Sequence, residues 1–224
     1  MSTIEEQTRD IKRQFRKAMN GIVAASMREK GITYRINFGL TLPLLRRIAA
    51  SIPPQKELAE RLWNESVRES KMLATWLYPP AEMELPTARK WVEEIPYTEI
   101  ADVCCMNLFP HITEAGRLAA DCIESANDLA RYTGYQLWSR LFARKYEPSP
   151  EETRHLLTSY LALLCGQVPV HTLSAATGCI ERLVIASPQN ATATAEILST
   201  AAIPEERRHL TDALIDLCHE QEGE

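Results

Sequence analysis

Helix start and stop signals recur along the whole chain, and no long β-branched run competes with them for a sheet. Thr3 with Glu6 forms a capping box, in which each side chain satisfies the other residue's backbone N–H. Behind it Ile11, Phe15, Ala18 and Ile22 recur at helical spacing while Arg9, Lys12, Arg13, Arg16 and Lys17 take the opposite side, so the first helix carries a basic stripe. Asn37-Phe38-Gly39 reads as a turn. Thr41 can cap the helix that follows, Pro43 is tolerated in its first turn, and Pro53-Pro54 closes it. Further helices are predicted over about 55–66, 68–78, 84–95, 98–108, 112–124, 127–145, 151–165, 171–186, 190–201 and 205–219. The clearest start is Ser149-Pro150-Glu151-Glu152, with a cap, proline at the first helical position and a glutamate two residues on.

Helices of roughly 11–18 residues joined by connections of about two to six make successive helices antiparallel neighbours. Self-similarity at a fixed period is weak, so periodicity alone allows an α-solenoid or an irregular bundle. The solenoid is preferred, because no helix is apolar all round as a central bundle helix would be.

At 224 residues the chain is most economically a single domain over 1–224, and 45% apolar residues can build a real core. No apolar run reaches the roughly 18 residues of a membrane span, and the N-terminus lacks the apolar stretch of a signal peptide. A cytoplasmic, monomeric protein with no membrane partner is expected. Cys104, Cys105, Cys122, Cys165, Cys179 and Cys218 form no CxxC pair and sit in apolar helical patterns, which suits reduced core thiols. The net charge of −5 conceals an asymmetry: residues 1–50 carry ten Lys+Arg against four Asp+Glu.

There is no Gly-rich phosphate loop, HExxH or GxSxG, which disfavours NTPases, zincins and serine hydrolases. Cys104-Cys105 lies near His111, a conceivable thiolate–imidazole pair, but small apolar residues with one side toward the core account for it more simply. His111, His155, His171, His209 and His219 are dispersed, so neither a metal nor a cofactor is expected. Trp63, Trp76, Trp91 and Trp138 read as aromatics between helix layers. More suggestive are Arg46, Arg47, Arg61, Arg68, Lys71, Arg89, Lys90, Arg140, Arg144 and Lys145, which recur from helix to helix. They read either as a phosphate-binding surface or as solvated faces with i,i+4 pairs such as Glu57 with Arg61.

The segments Asn37 to Ile48, Leu58 to Trp63, Arg68 to Ala74, Ile100 to Cys105, Leu137 to Ala143 and Ala176 to Arg182, in this order and spacing, resemble the DNA alkylation repair family. The resemblance implies an all-α, HEAT-like helical-repeat solenoid, an α-α superhelix, binding duplex DNA, alkylated in the active members, on a concave basic surface. Those members excise N3- and N7-alkylated purines. An alkylated purine bears positive charge and leaves as a neutral base, so a carboxylate that stabilises the developing sugar cation suffices.

Carried over by motif, the resemblance makes Arg140 a DNA-backbone arginine and keeps Arg182, and the recurring cations Arg144, Lys145, Arg46, Arg47 and Lys71 join them in the expected DNA-binding set. The family's Trp-Asp-x-Val-Asp segment looks like Ala101-Asp102-Val103-Cys104-Cys105, which puts Cys105 at the catalytic carboxylate and Ala101 at a cleft tryptophan. Cys179 stands at the second cleft tryptophan, between Gly178 and Arg182. A register slip of one or three residues would instead make Asp102 the catalytic carboxylate; the competing reading is a first-turn residue favoured by the dipole after Thr98. Weak or absent excision is therefore expected beside DNA binding. The alternatives are a lapsed relative that recognises DNA structure and a helical-repeat adaptor for an acidic or amphipathic protein segment.

Overall fold

The structure, a computed structural model, describes residues 3–222, and among these every regular element of more than three residues is an α-helix. In chain order they are α1 (Ile4–Lys17), α2 (Gly21–Glu29), α3 (Leu42–Ala50), α4 (Lys56–Trp63), α5 (Arg68–Leu77), α6 (Leu85–Glu93) and α7 (Thr98–Asn107). There follow α8 (Ala115–Ile123), α9 (Asp128–Ala143), α10 (Pro150–Cys165), α11 (Val170–Ala186), α12 (Pro188–Ser199) and α13 (Arg208–Glu222). The predicted spans agree closely, because caps and apolar spacing are local signals. Both capping boxes form: Thr3 with Glu6, and Ser149 with Glu152.

Three local readings are corrected. The first helix stops at Lys17, because Asn20 caps a new one by accepting from Val23 N–H at 3.2 Å; Ile22 therefore belongs to α2 and is 84% exposed. Thr41 precedes α3 without a side-chain cap bond. Asp102 lies in the second turn of α7, where the N-terminal dipole no longer explains it.

The chain divides into two compact units, one of residues up to 84 with 106–113, the other of 85–105 and 114 onward. In the first, α4 packs against α1 and α5, and α3 against α5. Its centre is a buried pair: Glu69 accepts from the Phe38 and Leu40 N–H groups at 3.1 and 3.2 Å, and Arg68 donates to Glu69 at 3.2 Å and to the Leu40 carbonyl at 3.0 Å. This satisfies every charge it buries, which is what makes a buried ion pair tolerable. Gly39 turns the chain above it at φ +70°, a conformation that favours glycine.

In the second unit α9 packs along α8 and α11, α11 along α12, and α12 along α13. Trp91 and Trp138 are buried here and Trp63 in the first unit, as layer aromatics should be, whereas Trp76 is partly exposed. Cys104, Cys105, Cys122, Cys179 and Cys218 are interior thiols; Cys165 is exposed, contrary to its apolar sequence setting.

Candidate functional site

One face of α9 presents Tyr132, Gln136 and Arg140, one turn apart, and the facing side of α11 presents His171, Ser174, Ala175, Gly178 and Arg182. The small residues of α11 leave room, and a cavity of about 330 Å³ opens between the helices with Ser139 on its wall. Its polar floor is a relay. Gln136 Nε2 donates to the Tyr132 hydroxyl at 3.1 Å, and that hydroxyl donates to Asp102 Oδ1 at 2.7 Å. Burial pushes the Asp102 carboxyl above the usual aspartate range, against the opposing pull of the Tyr132 bond and Arg140. Burial, with the Asp102 bond second, also raises the Tyr132 phenol, keeping it a donor. His171 sits edge-on to the Tyr132 ring at 5.6 Å, its Nε2 3.0 Å from Asp128 Oδ2.

The cations of the second unit sort into two groups. Arg89, Lys90, Arg117, Arg131 and Arg208 have carboxylate partners, and Arg207 donates to the Leu163 and Leu164 carbonyls. Arg140, Arg144, Lys145, Arg154 and Arg182 make no ion pair among the described residues. Arg140 and Arg182, from facing helices, meet at the cavity.

In the first unit Arg46 and Arg47 are exposed on α3, without an ion pair among the described residues. Lys71, expected on DNA, is instead engaged: its ammonium donates to the Trp63 carbonyl at 2.8 Å and lies 4.3 Å from the centre of the Trp63 ring. Arg61 and Arg68 pair with Glu65 and Glu69, so the Glu57–Arg61 pairing is replaced by one a turn further on. Among the expected cations, Arg46 and Arg47 are thus exposed, while Lys71 is held against Trp63.

The positions read as cleft lining lie in the interior: Ala101 and Cys179 are fully buried and Cys105 nearly so. Cys105 Sγ donates to the Thr133 carbonyl at 3.4 Å, and burial, then the neighbouring Cys104 and Cys122, holds its thiol well above the ordinary value. The Cys179 thiol is pushed up to about 12 by burial. Neither can present a negative charge to a ligand at neutral pH. Asp102 stands behind Tyr132, outside the residues that line the cavity.

The family model of the DNA alkylation repair enzyme matches residues 11–166, most of the chain. The chain belongs to that family. A comparison of this DNA alkylation repair family member with curated proteins finds no match. A solved structure described as a new family of proteins related to the HEAT-like repeat DNA glycosylases with affinity for branched DNA structures is similar to it, with a TM-score of 0.75. The two share 15% identity over 95% of this chain and 94% of that one. The fold of this family member is thus all-α and HEAT-like, as its helices predict. No helix of the described residues is long and apolar enough to cross a membrane.

Tyr132, Gln136, Ser139, His171 and Ser174 are absent from the sequence-derived site. The i, i+4, i+8 stripe of Tyr132, Gln136 and Arg140 was the signal available for part of them.

Proposed function

We propose that this chain binds DNA at the α9–α11 cavity through Arg140 and Arg182 and recognises its structure without excising alkylpurines. The observation that carries the reading is the pair of unpaired arginines brought together from facing helices beside a wall that no carboxylate lines. Two guanidiniums so placed fit phosphodiester oxygens, and contacts of that kind position a duplex without reading its bases. Excision would need a fixed negative charge near the sugar, and removal of one such electrostatic group typically costs ~100-fold or more in rate. Cys105 is a buried neutral thiol, and Asp102 Oδ1 is occupied by the Tyr132 hydroxyl. Family membership supports DNA as the partner, and the solved neighbour's described affinity for branched DNA supports structure recognition as the task.

Duplex binding followed against salt, together with base release from duplex containing N7-methylguanine or N3-methyladenine, tests this. Binding that weakens steeply with salt, falls about tenfold in Arg140→Ala on every sequence, and brings no base release is the expected result. Robust excision by the parent would overturn the inactive reading, its loss or survival in Asp102→Asn telling whether that carboxylate supports it, and Arg140→Ala binding as tightly as the parent would overturn the site.

A further inference from the structure

A second and larger cavity, of about 990 Å³, lies where the end of α9, the start of α10, α11 and α12 meet. Arg182 lines both it and the smaller one, so one side chain borders the two. Lys145 and Arg154 line it as well, both exposed and both without an ion pair among the described residues. Beside these charges the wall is apolar: Tyr146, Pro148, Ile197 and Ile185, the last 59% exposed. The first turn of α12, Ser187 to Asn190, adds the positive end of a helix dipole. Two carboxylates, Glu147 and Glu196, also line it, and the three cations outnumber them.

Lys145 occupies an unusual conformation. It follows the α9 cap Arg144 at φ 62°, with its N–H bonded to the Phe142 carbonyl at 2.9 Å and the Tyr146 N–H to the Leu141 carbonyl at 3.0 Å. That is a Schellman turn, whose left-handed position normally holds glycine, so a lysine there is strained. The turn swings Tyr146 against Trp138, ring centres 5.7 Å apart, with its hydroxyl donating to Glu152 at 2.9 Å. A cation and an aromatic ring are thereby set side by side on the cavity wall.

We infer that this cavity takes an unpaired DNA strand, the single-stranded arm of a branched or flapped duplex whose double-stranded part is held at Arg140 and Arg182. A recess of this volume can receive a few nucleotides of a single strand. Alternating cations and apolar surface are what a single strand needs, because its phosphates alternate with bases that are free to stack. An intact duplex keeps its bases covered and gains nothing from Tyr146 or Ile185. The inference rests on the duplex reading of the smaller cavity, since Arg182 links the two.

The test compares fluorescence-anisotropy titrations of a blunt duplex and the same duplex with a 3′ or 5′ oligo(dT) arm, using the parent chain and Lys145→Gly combined with Arg154→Glu. Glycine relieves the left-handed turn, so a melting temperature held or raised shows that the double variant is folded. The parent is expected to bind the armed duplex at least tenfold tighter than the blunt one, and the double variant to lose that preference, read as the ratio of armed to blunt affinity within each protein so that a general loss of charge cancels. Ile185→Ser should reduce the preference in the same direction. Equal binding of armed and blunt duplexes by the parent, or a preference that survives in the folded double variant, overturns the inference and leaves the duplex reading standing. Failure of the parent to bind either DNA overturns both.

Discussion

Asp102 shows how strongly one side chain's meaning depends on its neighbours. Its carboxyl is raised mainly by burial, so the folded chain takes up a proton on it at a higher pH than the unfolded chain does. The charged form therefore costs stability at neutral pH. As pH falls through the raised folded value towards the ordinary aspartate value near 3.8, that cost is progressively relieved. An asparagine side chain at this position would keep an oxygen to accept from Tyr132 without the charge. Asp102→Asn should accordingly melt at or above the parent at pH 7, and the gap should close as the pH is lowered through that window. Thermal melts across pH 7 to 3.5 check this, and a variant that melts lower at pH 7, with the deficit shrinking in acid, would show a stabilising carboxylate instead. Sequence motifs singled out Asp102 but could not show that the Tyr132 hydroxyl bonds it, because that bond joins residues thirty positions apart.

At the level of helices and turns, most of the architecture was legible because its determinants are local: Ser149 and Glu152 cap α10 from within a few residues. What was not legible came from packing between elements. Arg89 finds Asp121 on α8 and Lys71 finds the Trp63 ring, so which cations remain unpaired is decided by helix neighbours rather than by charge counts. Ala101, Cys105 and Cys179 are interior for the same reason. The turn before α3 supplies a stability prediction. At Gly39 a Cβ would be driven into the Asn20 carbonyl oxygen and to within 2.9 Å of the Ala24 nitrogen, both backbone atoms that anchor α2. Gly39→Ala should cost about 2–3 kcal/mol, read as a lower denaturant midpoint at unchanged slope. The stripe on α1 is the matching electrostatic case. Lys12 is held by Glu65 and Arg13 by Asp10, so Arg9, Arg16 and Lys17 are the members to reverse. Arg9→Glu with Arg16→Glu should lower DNA affinity and flatten its salt dependence if α1 touches phosphate, and an unchanged salt slope would return the stripe to a solvated face.

Across the whole molecule, the cysteines carry a consequence of their placement. Five thiols lie in the interior, three of them in α7 and α11, and burial keeps Cys105, Cys122 and Cys179 in the weakly nucleophilic protonated form. Iodoacetamide added to the native chain is therefore expected to give a single adduct at Cys165, with the others reacting only after denaturation; peptide mapping distinguishes the sites. A chain from a family that counters alkylation has, by this arrangement, little soft nucleophile to offer the electrophiles that damage DNA. The same compounds that create the lesions would meet one exposed thiol, Cys165, while the buried thiols of the helices around Arg140 and Arg182 stay protonated and covered.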